Sequence, residues 1–437
     1  MSEKINKSQR ETPLSASRWL FAICFLVYCV SYVARGSFSF VRSTMIDDGV
    51  IGVGVAGAIS AAYFIFYAVG QLVNGFLGDK ISPFWMVSIG LCIVVASNIA
   101  MTVIQPSYLY VLWWGINGYG HSMLWAPIYF VLSNMINQRL RAFALTAISI
   151  SSPLGKISSA LISGIALKGE IWQRVFFAVT VICAAILILW ITGYLALSKR
   201  LIVAEIQSEH EGLEAPAQAK KAGFIRILLV SGVAIMLPSM FVHGLFYNGV
   251  VEMMPTILSE QYSMSASMAA ILEIFIPLLS IAGVFVANFV YYKIFKKRDM
   301  QSAAFLMGMT LLPTSIMLLL AIFIPRGYLI GQYPDAIIFV VIYAFAYLFQ
   351  FAFNHIVIVL LPVHFARYSY SSSVSGIENA INYGGSAIST YGMTYALLKL
   401  PLWQTVLIWI ALLLVATLFV FLAQIRWRIF SSDMNNG

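Results

Sequence analysis

Tyr28, Tyr32 and Arg35 follow one another at i, i+4 and i+7, which sets two phenol hydroxyls and a guanidinium on one helical face. A guanidinium offers a planar fork of donors that matches carboxylate or phosphate oxygens, so this stripe is a candidate anion site. An arginine reaching for a membrane interface, or one tied to a structural carboxylate, is the alternative. Weaker stripes at i, i+4 steps are Tyr63, Tyr67 and Gln71, then Asn117, His121 and Trp125, then Gln350 and Asn354. Each stripe either lines a cavity or serves as polar glue between helices. His121 adds a ring that donates, accepts and titrates. Lys156 follows Gly155 on the face of Ser152, and Glu378 adjoins Asn379 and lies near Asn382. Their opposite signs leave three readings open: a mutual ion pair, substrate contact, or proton coupling. Glu273, four residues before Pro277, is a candidate gate partner or proton site, and His243 reads as a packing residue.

These residues need elements that hold them, and composition says which kind. The 437 residues are 61% hydrophobic and 10% charged, which excludes a water-soluble domain. The apolar residues fall in runs of about 20, the length of a helix crossing about 30 Å of hydrocarbon. Twelve spans are predicted, near 18–41, 52–77, 84–104, 108–136, 142–166, 174–197, 224–251, 263–291, 301–324, 335–362, 369–398 and 402–426. The first run is broken by Tyr28, Tyr32 and Arg35 and has no small-residue cleavage site after it, so it is expected to be retained as a helix. Cys24, Cys29, Cys92 and Cys183 all fall within spans and read as small packing residues.

The formal charge of +9 could suggest nucleic acid, but its placement points to a membrane. Of the 26 Lys and Arg residues, Arg35 and Lys156 lie inside spans, and Arg42, Lys168, Arg174, Arg326 and Lys399 fall on one side. The remaining 19 fall on the other, so the positive-inside rule puts both termini in the cytoplasm. Residues 198–222, with four glutamates followed by Ala215-Pro216-Ala217, read as a cytoplasmic linker between bundles at 1–197 and 223–437. Six spans on either side of a linker is the layout of a carrier whose similar halves rock about a central site. The apolar cores of spans 3, 6, 9 and 12 contain no Asp, Glu, Lys, Arg or His, so these spans are expected to face lipid while the other eight enclose a polar cavity.

Between spans 2 and 3 the chain reads Gly75-Phe76-Leu77-Gly78-Asp79-Lys80-Ile81-Ser82-Pro83. Its glycines permit close helix approach and Asp79 can accept hydrogen bonds at a helix end. This loop resembles that of the major facilitator superfamily, and the likeness narrows to the organophosphate:phosphate antiporter family. That family's Tyr, Tyr and Arg of span 1 match Tyr28, Tyr32 and Arg35, which implies that Arg35 binds substrate phosphate. Trp125-Ala126-Pro127, Pro255-Thr256 and Gly384-Gly385-Ser386 are similar as well. The chain departs from the family where a second arginine is usual in span 7, at Tyr247, and at Gly36, Gln71 and Ser152. Lys156 is then the candidate for the second positive charge.

The sequence thus predicts an all-α integral membrane protein of twelve helices in two pseudo-symmetric bundles, the major facilitator fold. Its expected activity is secondary transport of a small organic anion by alternating access in the cell membrane, coupled to a proton or to phosphate exchange. The expected binding residues are Arg35, Tyr28, Tyr32, Tyr67, Gln71, His121, Lys156, Tyr247, Asn354 and Asn382, with Glu273, Glu378 and Asp79 as coupling or gating groups. Alternatives are a proton symporter of a neutral or zwitterionic solute, and a sensor that keeps the fold without transporting. Neither an HExxH motif nor a phosphate-binding glycine loop is present, so an enzyme is not expected. No cofactor, no metal and no nucleic-acid partner is expected, and the chain is expected to act as a monomer in the bilayer.

Overall fold

The computed structural model describes residues 11–78, 81–103, 108–167, 171–201, 223–323, 331–368 and 370–436. Asp79 and most of the expected linker, 202–222, lie outside these residues. The described chain is helical and folds into twelve rods in sequence order. In the first half these are Leu14–Asp47, Val53–Leu77, Pro83–Val103, Tyr108–Phe130 continued by a π-helical turn Val131–Met135, Gln138–Ala166 and Gln173–Ser198. In the second half span 7 runs through Phe224–Ser231, Val233–Gly244, the π-helical Leu245–Val250 and Val251–Tyr262. Span 8 is Ala266–Glu273, Phe275–Asn288 and the π-helical Phe289–Ile294, and span 9 is Asp299–Met309 with Leu311–Phe323. Span 10 joins Gln332–Asn354 to the π-helical His355–Leu360 and a 3₁₀ turn Leu361–Tyr368, before Ser371–Lys399 and Leu402–Asn436 complete the set. Ten helices among the described residues are long and apolar enough to cross a membrane. Tyr108–Phe130 and Ser371–Lys399 fall outside that group, and both carry buried polar residues, Asn117 and His121 in one and Glu378 and Asn382 in the other.

Several rods run past the expected ends. Span 7 continues eleven residues beyond 251 as the helical segment Val251–Tyr262, which takes Pro255 into its interior at the loss of one backbone hydrogen bond to Val251. Span 8 breaks at Ile274. Pro277 cannot donate to the carbonyl of Glu273 four residues back, so the helix ends there and restarts at Phe275. Near its start span 7 also breaks at Gly232, whose φ of +82° suits glycine, and a Cβ there would lie 2.8 Å from that of Arg426.

Packing repeats with a shift of six. In the first half span 1 packs on 5 and 6, span 2 on 4, and span 3 on 4 and 6. In the second half span 7 packs on 11 and 12, span 8 on 10, and span 9 on 10 and 12. The same shift relates the two contacts that join the halves, since span 2 lies along span 11 and span 5 against span 8. The internal repeat that residue types hide is therefore plain in the packing. Glycines sit where backbones come closest: Gly155 against the carbonyl of Cys29, Gly118 against that of Tyr63, Gly244 against that of Asn382, and Gly385 against that of Phe241. Small residues at such crossings let helices approach closely in lipid, where no hydrophobic drive brings them together.

Spans 6, 9 and 12 bury 33% of their most apolar stretch, against 67% in spans 7 and 10. Their outward faces carry Phe177, Ile188, Leu312, Phe323, Leu418 and Phe421, in keeping with a lipid-facing role. Span 3 is more enclosed, at 56%, because it is clasped by spans 4 and 6.

The glycine contacts yield a paired test within span 5. A side chain at Gly155 would meet both the Cys29 carbonyl and the Tyr32 Cβ, whereas none of the described atoms lies within 4 Å of a Cβ built at Gly164. Gly155→Val should lower the melting temperature of the purified protein, with an overpacking cost of about 1–3 kcal/mol. Gly164→Ala should leave it unchanged. Equal melting temperatures for the two variants would show that spans 1 and 5 are not tightly apposed.

Candidate functional site

The inner faces of spans 1, 2, 5, 7, 10 and 11 meet in a layer of tyrosines crossed by two cations. Arg35 Nη1 donates to the Tyr383 hydroxyl at 2.6 Å and Nη2 to Asn248 Oδ1 at 3.0 Å. Its guanidinium lies 4.8–5.7 Å from the ring centres of Tyr32, Tyr63, Phe64, Tyr67 and Tyr383, within cation–π range. Lys156 Nζ donates to the Tyr347 hydroxyl at 2.6 Å, and Tyr347 stacks on Tyr247 at 4.6 Å. Both cations thus come from the first half and both sets of acceptors from the second. Among the described residues neither Arg35 nor Lys156 forms an ion pair. Neutral hydroxyls and an amide take the place that carboxylates would fill, which leaves the positive charge available to a ligand.

Two chambers flank this layer, and Tyr32 lines both. One lies away from the chain termini and is lined by Arg35, Lys156, Asn248, Glu252 and Glu273 together with Phe40, Phe64 and Ser159. The other, on the side of the termini, is lined by Tyr28, Tyr67, Trp125, Ser149, Ser152, Tyr247, Asn354, His355, Asn382 and Tyr383. Each leaves about 50 Å³ open to water centres, room for a few waters. The first is charged and the second polar but without formal charge.

The halves touch beyond both chambers. On the side of the termini Phe224 packs on Phe76 and Tyr370, Trp125 Nε1 donates to Ser375 Oγ at 3.4 Å, and Gly376 meets the carbonyl of Gln71. At the far side Ser60 Oγ donates to Glu252 Oε1 at 3.3 Å, Arg42 reaches Met253 Sδ at 3.4 Å, and Phe40, Ala160 and Ile274 form a small apolar cluster.

Of the expected binding residues, Tyr28, Tyr32, Arg35, Tyr67, Lys156, Tyr247, Asn354 and Asn382 line a chamber, and so does Glu273. Gln71 does not: its amide donates to the Ser122 carbonyl at 3.3 Å and helps bind span 2 to span 4. His121 does not either, since its ring nitrogens face the backbone carbonyls of Asn117 and Ser31, both at 3.0 Å, and fasten span 4 to span 1. Both residues obey the stripe spacing but point at a neighbouring helix. The ion pair between Lys156 and Glu378 is absent. Glu378 is fully buried with neither oxygen hydrogen-bonded, and lies outside both chambers. His243 holds to the expected packing role, bonded to Gln350 and Asn354 and stacked on Tyr247.

Sequence reasoning missed Asn248, Glu252, Tyr347 and Tyr383. Glu252 fell one residue past the expected end of span 7. Asn248 sits in that span's π-helical turn, where the ordinary helical spacing no longer tells which side chains share a face. Tyr383 adjoins Asn382, so the neighbourhood was visible though the residue was passed over.

Comparisons with known proteins agree with this architecture. A bacterial homolog of the human lysosomal transporter Spinster, in an inward-facing and unoccupied conformation, superposes with a TM-score of 0.63 at 15% identity, covering 94% of this chain and 98% of that one. The proton:xylose symporter XylE gives 0.63 at 13% identity over 93% and 96%. By sequence, a probable hexose phosphate transport protein of Chlamydia trachomatis is 29% identical over 164 residues, 38% of this chain and 36% of that protein. A putative glycerol-3-phosphate transporter 2 of Arabidopsis thaliana is 27% identical over 187 residues, 39% and 37% of the two chains. The chain thus matches little more than a third of the length of these relatives. Residues 24–390 match the family description of the Major Facilitator Superfamily, and with the twelve-rod repeat they establish that this chain belongs to that superfamily.

Proposed function

We propose that the protein is a secondary transporter that carries a small organic anion, with phosphate esters the favoured class, by alternating access between its two halves. The observation that carries this reading is the state of Arg35: a guanidinium in a tyrosine cage, at the seam between halves, bonded among the described residues only to neutral groups. A purely structural arginine in such a place would be expected to have a carboxylate partner. Lys156, on the same half and opening into the same chamber, supplies a second positive charge. The names of the hexose phosphate and glycerol-3-phosphate relatives support this reading over the stretch they match. In this reading the bundles are 1–197 and 223–437, joined by a linker at 198–222. The protein works as a monomer in the cell membrane with both termini in the cytoplasm.

Rocking has a natural basis in the packing. Spans 2 and 11 meet on one arm of the pseudo-two-fold axis and spans 5 and 8 on the other, so closing one contact favours opening its counterpart.

Whether the carrier exchanges its anion for phosphate or moves it with a proton turns on the buried carboxyls. Glu378 favours the second form, because a carboxyl with no partner in a dry interior is a costly group unless it cycles through a proton. The sensor reading gains no support from a central site of this chemistry.

Arg35→Lys keeps the charge and loses the planar fork that reaches Tyr383 and Asn248 together. Reconstituted in liposomes, this variant should lose at least about tenfold in uptake of a phosphate ester while keeping its melting temperature within a few degrees. Near-normal uptake would rule out a bidentate anion anchor at this position. A second measurement addresses coupling. Glu378→Gln should abolish accumulation driven by a proton gradient but spare exchange of internal for external substrate, and unaffected accumulation would remove Glu378 from coupling.

A further inference from the structure

The chamber away from the termini carries charges of both signs, and their distribution bears on what fills it. Arg35 and Lys156 enter from the first half, Glu252 and Glu273 from the second. The four are not locked in ion pairs, as none joins them among the described residues. Arg35 and Lys156 give hydrogen bonds to neutral groups, Glu252 Oε1 takes one bond from the Ser60 hydroxyl, and Glu273 Oε2 is buried with no hydrogen-bond partner. Four ionisable groups facing a small cavity lose hydration, and in their charged forms they lack the mutual contact that would offset the loss. A ligand that supplies the complementary charges restores the balance.

The formal charges of the four lining groups sum to zero, with Arg42 close to Glu252 outside the lining. A dianion would find two cations on one wall and two carboxylates on the other, the second wall repelling it. A neutral polyol could hydrogen-bond these groups but would bring no opposite charge to either wall. A zwitterion satisfies both walls at once, and Phe40, a chamber ring that does not hold Arg35, offers a face to an alkylammonium.

We infer that the substrate is a small zwitterion of the aminoalkyl phosphate type. Its anionic group is held by Arg35 and Lys156 and its ammonium by Glu252 and Glu273 on the opposing half. The inference rests on the anion reading of Arg35 and adds the second charge to it. Such a ligand bridges the two halves by opposite charges, each half binding one end.

The test uses two probes that differ only in the amine, ethyl phosphate and 2-aminoethyl phosphate, added to the purified full chain while its thermal unfolding is followed. The aminated probe should stabilise the protein at a concentration about tenfold or more below that needed for ethyl phosphate. Glu252→Gln and Glu273→Gln should each bring that ratio towards one without raising the concentration of ethyl phosphate required. The ligand comparison is made on the native chain, so it decides the matter even if a variant fails to fold. Equal response to both probes would overturn the zwitterion and leave the anion reading intact, as would a preference that survives both substitutions. If neither phosphate stabilises the native chain, the anion reading and the zwitterion fall together.

Discussion

A positive charge taken out of water must be met by something, and much of this structure follows from how Arg35 is met. Its two hydrogen-bond partners, Tyr383 and Asn248, belong to the opposite half, so the bundles are joined at their centre through a group that is costly to leave bare. Lys156 repeats the arrangement with Tyr347. These bonds are directional yet made to neutral acceptors, each worth about 1.5–3 kcal/mol when one partner is charged. That is enough to define a resting arrangement and small enough to be exchanged for bonds to a ligand. The tyrosine rings around the guanidinium add a diffuse attraction that tolerates small rotations better than a carboxylate contact would.

Around this centre the two bundles are rigid for a reason that is local. Glycines at the 1–5, 2–4 and 7–11 crossings bring backbones so close that even a methyl group would clash, which limits sliding within a bundle. Between bundles the contacts run along spans 2 and 11, between spans 5 and 8, and through the central bonds of Arg35 and Lys156. In the alternating-access reading, movement would then fall at the seam. The π-helical turns of spans 7 and 10 fall beside the chambers, carrying Tyr247 and Asn248 on one and His355 on the other. An extra residue in a turn alters which side chains face inward, and such turns recur at functional sites.

The sequence made the architecture legible and the site only partly so. Apolar runs of membrane-spanning length and the asymmetry of lysine and arginine need no tertiary information, and the absence of charge from the apolar cores of spans 6, 9 and 12 matches their outward position, while span 3, equally free of charge, is more enclosed. Tyr28, Tyr32 and Arg35 were found because an undistorted helix keeps its spacing. Gln71 and His121 keep that spacing too, yet their polar groups bind neighbouring helices, and nothing in a stripe distinguishes a cavity from a helix partner. Lys156 and Glu378 were natural partners by sign alone, but their levels and faces in the bundle separate them. Glu252 escaped because hydropathy ends a span where polar residues resume, while the helix itself runs on to Tyr262. Asn248 and Tyr383 become visible only when two halves are brought face to face, which no local pattern encodes.

The segregation of charge between the halves has a mechanical consequence. With both cations riding on one body and both carboxylates on the other, the chamber resembles a capacitor whose plates move relative to each other. In a low-dielectric interior the stored energy varies steeply with plate separation. In the alternating-access reading proposed above, an empty chamber and a charged cargo would set different resting gaps between the halves, so that occupancy is registered by the field across the chamber.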